Sequence, residues 1–82
     1  MKHAGEEALV DLKDLLVALR QEVGLKEKKP GIFYLKGAAF LHFHEDPAGL
    51  FADLRSGAEW QRYRVSTKAE RKALLARVRG GL

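Results

Sequence analysis

A β-hairpin is predicted in residues 32–44, which read Ile32-Phe33-Tyr34-Leu35-Lys36-Gly37-Ala38-Ala39-Phe40-Leu41-His42-Phe43-His44. Two runs rich in aliphatic and aromatic residues flank Lys36-Gly37, and this spacing favours a tight turn in which the glycine adopts a positive φ angle. The length of such a turn determines which residues face each other across the two strands. The predicted pairs are Phe33 with Phe40, Ile32 with Leu41, and Tyr34 with Ala39.

Two more strands are predicted after the hairpin. Asp46-Pro47-Ala48-Gly49 is a typical turn sequence, and residues 50–55 then alternate in polarity up to a stop at Ser56-Gly57. Residues 60–65 also alternate and predict a fourth strand. We therefore expect an antiparallel meander over about residues 32–65.

A helix is predicted on each side of this sheet. Residues 6–23 carry apolar side chains every three or four positions and stop at Gly24, and residues 24–31 are a charged connector that ends in Pro-Gly. Thr67 and Glu70 have capping-box spacing, which predicts a second helix over about residues 67–79. The predicted class is α+β in the order α-β-β-β-β-α, a four-stranded antiparallel meander with both helices on one face.

Composition narrows the class of protein. A length of 82 residues predicts a single domain, residues 1–82, and the absence of cysteine excludes a disulfide framework and any thiolate site. No stretch has the roughly 18 apolar residues of a transmembrane helix and no signal peptide is evident, so a cytoplasmic protein without a membrane partner is expected. Asparagine is absent while Arg, Glu and Leu are abundant, a bias typical of thermophilic proteins.

The period of two along a strand sorts its residues onto two faces of the sheet. The face predicted to pack on the helices carries Ile32, Tyr34, Ala39, Leu41, Phe43, Leu50, Ala52 and Leu54. The opposite face is predicted to carry Phe33, Leu35, Phe40, His42, His44, Phe51, Asp53, Arg55 and Trp60. Aromatic side chains mixed with titratable groups are typical of a small-molecule site or a protein interface. Because so small a chain cannot cover a second apolar face, a homodimer is expected.

His42 and His44 are the candidate metal ligands, because positions i and i+2 of a strand point the same way. Asp53 on the neighbouring strand, or Asp46 from the turn, would add an oxygen ligand. No cofactor is assured, and a divalent transition metal is the one that this donor set favours. Two alternatives stay open: the imidazoles act as general acid and base, or they are half-buried side chains hydrogen-bonded to neighbours.

A basic last third of the chain raises the question of nucleic-acid binding. Arg55, Arg62 and Arg64 interleave with Trp60 and Tyr63, a combination that binders of single strands use for backbone charge and base stacking. The net charge is only +4, however, and acidic residues lie among the bases. Ser66 and Thr67 are explained as helix caps, so a hydrolytic triad is not expected.

The run from Phe33 to Asp46, followed by Ala52-Asp53-Leu54-Arg55 and Trp60, resembles the small "luciferase domain" family. This family is named after fungal luciferases and includes many bacterial proteins of unknown role. The resemblance extends over roughly residues 31–79. It implies that the site positions are His42, His44, Asp53 and Arg55, and it implies an oxidoreductase by family analogy, but not light emission.

Three functional hypotheses result. The preferred one is a ligand-binding or protein-interaction module that uses the aromatic and histidine face. The first alternative is a small metal- or histidine-dependent enzyme. The second is a weak nucleic-acid binder that uses the basic C-terminal third.

Overall fold

The computed structural model describes all 82 residues, which form six strands and three helices. The strands are β1 (Lys2–His3), β2 (Leu25–Lys29), β3 (Ile32–Leu35), β4 (Ala38–Asp46), β5 (Gly49–Ser56) and β6 (Glu59–Arg64). The helices are α1 (Glu6–Asp11), α2 (Lys13–Arg20) and α3 (Lys68–Gly80). The α+β class, the antiparallel meander and a helical segment on each side of it are confirmed.

All the strands belong to one antiparallel sheet with the order β2-β3-β4-β5-β6. Strand β1 is off this path and pairs with the far half of β4, where His3 lies opposite His44. Since β5 occupies the other edge of β4 along this half, β1 continues the line of β3. The nine residues of β4 thus form the spine of the sheet.

The predicted charged connector is partly wrong, because its residues 25–29 form the edge strand β2. Leu25 is the only apolar residue of this strand, and it is buried opposite Leu35. The other four residues are Lys or Glu, which is how many proteins protect a sheet edge from unwanted pairing. Charge therefore concealed the strand from a search for alternating hydrophobic residues.

The first predicted helix is shorter than expected and is interrupted once. Leu12, with φ −89° and ψ 5°, separates α1 from α2, and α2 ends at Arg20 rather than at residue 23. Amide-to-carbonyl bonds three residues apart, from Gln21 to Ala18 and from Glu22 to Leu19, tighten the last turn. Val23 is consequently fully exposed and does not extend the apolar stripe of the helix.

The hairpin turn at Lys36-Gly37 is confirmed, but the register beyond it is not the predicted one. Both turn residues have positive φ angles, 53° and 81°, as a two-residue primed turn requires. Tyr34 pairs with Ala39 as predicted, whereas Phe33 pairs with Leu41 and Ile32 with His42, instead of Phe40 and Leu41. Phe40 is the extra residue of a β-bulge, so every pair beyond it is displaced by one position.

This displacement moves Phe33 and Phe40 from the predicted open face into the core, and it places Ile32, which was predicted to face the helices, opposite His42. Phe33 has no exposed surface and Phe40 retains 8%. The core lies between one face of the sheet and the helices, as predicted. Helix α1 contributes the buried Ala8 and the half-buried Leu9, which packs against the main cluster. The buried members of this cluster are Leu12, Leu15, Leu16, Leu19, Leu25, Phe33, Phe40, Leu41, Phe43, Ala52, Leu54, Val65, Leu74 and Val78.

Helix α3 begins as predicted. Thr67 accepts a bond from the amide of Glu70, and the Glu70 carboxylate accepts one from the amide of Thr67, which completes the capping box. No helix of the protein is both long enough and apolar enough to cross a membrane.

Candidate metal centre

The pleat of β4 places two histidines on the face of the sheet opposite the helices. Phe43 points into the core, so His42 and His44 on either side of it point away from the core. Strand β1 brings His3 beside them through its pairing with His44. We call this surface, defined by His3, His42, His44 and Asp53, the histidine face. It contains every histidine of the chain.

One nitrogen from each of the three imidazoles lies within 4.8 Å of the other two. The ring centroids of His3 and His44 are 5.0 Å apart in a stacked arrangement, and His42 lies 6.0 Å and 6.1 Å from these two rings. A tetrahedral zinc ion with Zn–N bonds of about 2.05 Å holds its nitrogens about 3.3 Å apart. The three nitrogens are therefore up to about 1.5 Å farther apart than a tetrahedral zinc ion requires, so the imidazoles would have to rotate toward one another to bind it.

Asp53 lies behind this cluster and is already engaged by an arginine. Across the sheet it pairs with His42 on one side and with Arg62 on the other. Arg62 donates two hydrogen bonds to its carboxylate, 2.7 Å and 2.8 Å long, and this pairing keeps the pKa of Asp53 below its ordinary value. The second oxygen of Asp53 also lies 3.0 Å from Nε2 of His44.

The contact between His44 and Asp53 is close but is not aligned as a hydrogen bond. Both ring nitrogens of His44 are buried, and neither makes an aligned hydrogen bond, although the neighbouring Lys2 backbone acts to raise the pKa of His44. Burial lowers the pKa of His44, and this outweighs the opposing effect of the Asp53 charge. Burial also lowers the pKa of His42, with a smaller contribution from its neighbouring histidines. Both imidazoles are thus neutral at pH 7, the form that binds metals.

The other predicted site residues divide into two groups. Trp60 is 42% exposed and its ring lies 4.9 Å from that of His42, while Phe51 is half-buried opposite His44, so both border the histidine face. Arg55 lies 6.0 Å from the Trp60 ring and donates to the carbonyl of Gly57, farther from the histidines. Phe33 and Phe40 are core residues and take no part.

His3 is the member of the cluster that the sequence did not predict. It belongs to a strand of two residues, too short to have a period of its own. The contacts that hold this strand are polar. Lys2 lies 3.1 Å from Glu45, and Glu45 also accepts a hydrogen bond from the amide of Gly5. Glu45 therefore holds β1 in place, whereas Asp46 bonds the amide of Ala48 and stabilises the turn as expected.

Several arginines in the basic last third of the chain have partners inside the protein. Arg62 binds Asp53, Arg64 lies 3.7 Å from Glu70, and Arg79 donates to Glu22. Arg71 donates to the carbonyls of Val65 and Ser66. Lys68, Lys72 and Arg77 have no carboxylate partner, however, so nucleic-acid binding stays an alternative prediction.

The comparisons with known proteins add no relative. No protein-family model matches the chain, and neither a curated protein nor a solved structure matches it. The resemblance to the luciferase domain family therefore stays a prediction, and the site is interpreted from its own residues.

Proposed function

We propose that this protein is a metal-binding module in which His3, His42 and His44 hold one divalent transition-metal ion. The observation that carries the proposal is the convergence of three imidazole nitrogens within 4.8 Å on one face of a sheet. The expected ligand-binding function thereby acquires a ligand of definite chemistry. Relative to the metal site predicted from the sequence, His3 replaces Asp53 as the third ligand.

The donor set favours a transition metal over calcium or magnesium. Three imidazoles suit Zn²⁺, Cu²⁺, Ni²⁺ or Co²⁺, whereas Ca²⁺ and Mg²⁺ prefer oxygen ligands. Three protein ligands also leave a fourth position open, as in catalytic zinc sites rather than in closed structural ones. This open position supports the alternative of a small metal-dependent enzyme.

Asp53 acts in this proposal as an outer carboxylate and not as a ligand. Metal-bound histidines commonly present their second ring nitrogen to a carboxylate, which orients the ring and raises its basicity. Asp53 is 3.0 Å from His44 Nε2 and is itself fixed by Arg62 through two hydrogen bonds. A carboxylate that Arg62 already holds through two hydrogen bonds suits orientation of a ligand better than direct coordination.

The competing interpretation is that these histidines are ordinary half-buried side chains. Such histidines are normally hydrogen-bonded to their neighbours, because a buried polar atom without a partner costs about 1–3 kcal/mol. Neither nitrogen of His44 has such a bond. A metal ion would provide the missing interaction for one of them.

The test is a titration of untagged, chelator-treated protein with Zn²⁺ by calorimetry and with Co²⁺ by visible absorption. We expect one ion per chain and a Co²⁺ spectrum of low coordination number. Replacement of His3, His42 or His44 by Asn should each weaken binding by more than about 100-fold, since each removes a ligand. Because the chain has no other histidine or cysteine, no second imidazole or thiolate site can produce the signal.

Glu59→Gln is the control, because it changes one exposed polar residue of β6, two strands away from β4, and this variant should bind the ion like the unaltered protein. Less than a tenth of an equivalent of bound metal would refute the proposal. Full affinity in the His3→Asn variant would refute the three-histidine site while leaving a site of two histidines.

A further inference from the structure

We propose that a second site lies on the helix side of the sheet, in a cleft at the C-terminal end of α3, and that it binds a small organic anion with an apolar body. The cleft has a volume of about 490 Å³ and is lined by parts of β4, β5, β6 and the last turn of α3. Tyr63, in its lining, belongs to the row Phe43-Ala52-Tyr63 that faces the core. The cleft therefore lies mainly on the side of the sheet opposite the histidine face, although Arg55, on the same face of β5 as Asp53, is also part of its lining.

The cleft exists because small residues surround an apolar floor. Phe40, Leu54 and Tyr63 form the floor, and the rim includes Ala38, Ala39, Ser56, Gly57, Gly80 and Gly81. A Cβ atom added at Gly80 or Gly57 would meet no atom within 4 Å, so the space beside them is open. The β-bulge contributes as well, because it turns Phe40 to this side of the sheet.

The charge in the cleft is positive and has no acidic partner. Neither Asp nor Glu lines it, whereas two arginines do: Arg55, which donates to the carbonyl of Gly57, and Arg77, whose guanidinium lies 4.6 Å from the centre of the Tyr63 ring. Arg79 in the same helical turn offers a direct contrast, since it is paired with Glu22 at 3.2 Å. Arg77 has no ion pair within the protein, and its cation lies over an aromatic floor.

These features define the class of ligand. Pockets of about 300–1,000 Å³ with an apolar lining and a few polar groups are typical of small-molecule sites. A guanidinium binds carboxylate and sulfonate groups through parallel hydrogen bonds. The expected ligand thus has one acidic group for Arg77 and an aromatic or aliphatic body that rests on Phe40 and Tyr63.

Two fluorescent probes test this assignment, both applied in the presence of a chelator so that the metal site plays no part. Anilinonaphthalene sulfonate is an aromatic anion, and phenylnaphthylamine is nearly the same molecule without the acidic group. We expect the anion to bind at one site per chain and more tightly than the neutral probe. Arg77→Met should weaken binding of the anion about tenfold and leave binding of the neutral probe unchanged, because the substitution removes the charge and retains the apolar stem.

Arg79→Met is the matched control, with the same loss of charge in the same helical turn, and it should leave the affinity for the anion unchanged. Gly81→Leu should weaken both probes, because a Cβ atom at this position already lies 3.7 Å from the Phe40 ring and a longer side chain would enter the cleft. Thermal unfolding of each variant shows whether it is folded under the assay conditions, so that probe binding to unfolded protein is recognised. Equal effects of the two arginine substitutions, equal affinity for both probes, or no binding would overturn the proposal.

Discussion

His44 is the residue whose surroundings most need an explanation, because both of its ring nitrogens are buried without a hydrogen bond. Its side chain is 12% exposed, and its nearest charged neighbour, Asp53, is already bound by Arg62. Unsatisfied polar atoms destabilise a fold and are rarely retained without a use. At this scale the histidine face has the character of a site that favours binding at some expense of stability.

Replacement of His44 by leucine tests whether this residue lowers the stability of the metal-free protein. His44→Leu should raise the free energy of unfolding of the metal-free protein by about 1 kcal/mol, since it removes two unsatisfied nitrogens and retains apolar volume. Urea denaturation in a chelating buffer measures the change. Phe43→Leu, one position away in the core, should instead destabilise the protein, because it leaves a cavity. A less stable His44→Leu protein would identify His44 as a structural residue.

Asp53 provides a second test at the same scale. Asp53→Asn should weaken metal binding by about 10- to 100-fold without abolishing it, because an outer carboxylate orients a ligand but does not bind the ion. A competition titration against a chelator of known affinity measures the loss. Asp46→Asn should leave the affinity unchanged, since Asp46 bonds only the turn amide of Ala48. Complete loss of binding in Asp53→Asn would instead indicate that Asp53 is a ligand.

The two strands absent from the predicted fold, β1 and β2, are both held by carboxylates that reach beyond their own strand. Glu45 of β4 pairs with Lys2 and accepts the amide of Gly5, which fixes β1 and with it His3. Glu27 of β2 accepts two hydrogen bonds from Arg20 of α2 and one from the amide of Gly31. Polar contacts thus stabilise the two strands that the apolar periodicity of the sequence did not predict.

The contribution of Glu27 should depend on pH. Its bonds with Arg20, opposed by partial burial and aided by the Gly31 amide, lower its pKa below the ordinary value of 4.5. Its stabilising effect is therefore complete above pH 4.5 and is lost as the pH falls through the lower, folded-state pKa. Glu27→Gln should cost about 1 kcal/mol at pH 7, with the difference from the unaltered protein vanishing in acid.

Urea denaturation at pH 7 and at successively lower pH values measures this difference. Glu6→Gln is the control, because Glu6 lies in the exposed first turn of α1 and makes no hydrogen bond or ion pair to another side chain. A gap between Glu27→Gln and the unaltered protein that stays constant in acid would show that the carboxylate charge is not responsible.

The whole molecule is one sheet with all its helices on one side, so its two candidate sites are separated by the sheet itself. The cleft lies between the sheet and α3, where the helix ends in glycines. The histidine face is on the other side, where no helix covers it. A ligand at one site is thus not expected to contact a ligand at the other.

Metal binding should stabilise the whole fold, because its ligands come from β1 and β4 and are brought together only in the folded chain. Zn²⁺ at 100 times its dissociation constant should add about 2.7 kcal/mol to the free energy of unfolding. For a chain of this size that corresponds to a rise in Tm of roughly 10–20 °C. Calorimetric melting with Zn²⁺ and with excess chelator measures the shift. The His3→Asn variant should show almost none of it, and an equal rise in that variant would exclude β1 from the site.

The amino-acid sequence by itself determined the features that depend on neighbouring residues. The positive φ angle at Gly37, the strands that follow the hairpin and the capping box at Thr67 all follow from local turn chemistry, periodicity and side-chain bonding to the adjacent backbone. The α+β class and the common orientation of His42 and His44 followed from these. The tertiary structure alone decided the bulge at Phe40 and the arrival of His3 beside His44. Core packing selects the bulge at Phe40. Pairing between β1 and β4, which are distant in sequence, brings His3 beside His44. Neither feature is therefore encoded in a short stretch of the chain.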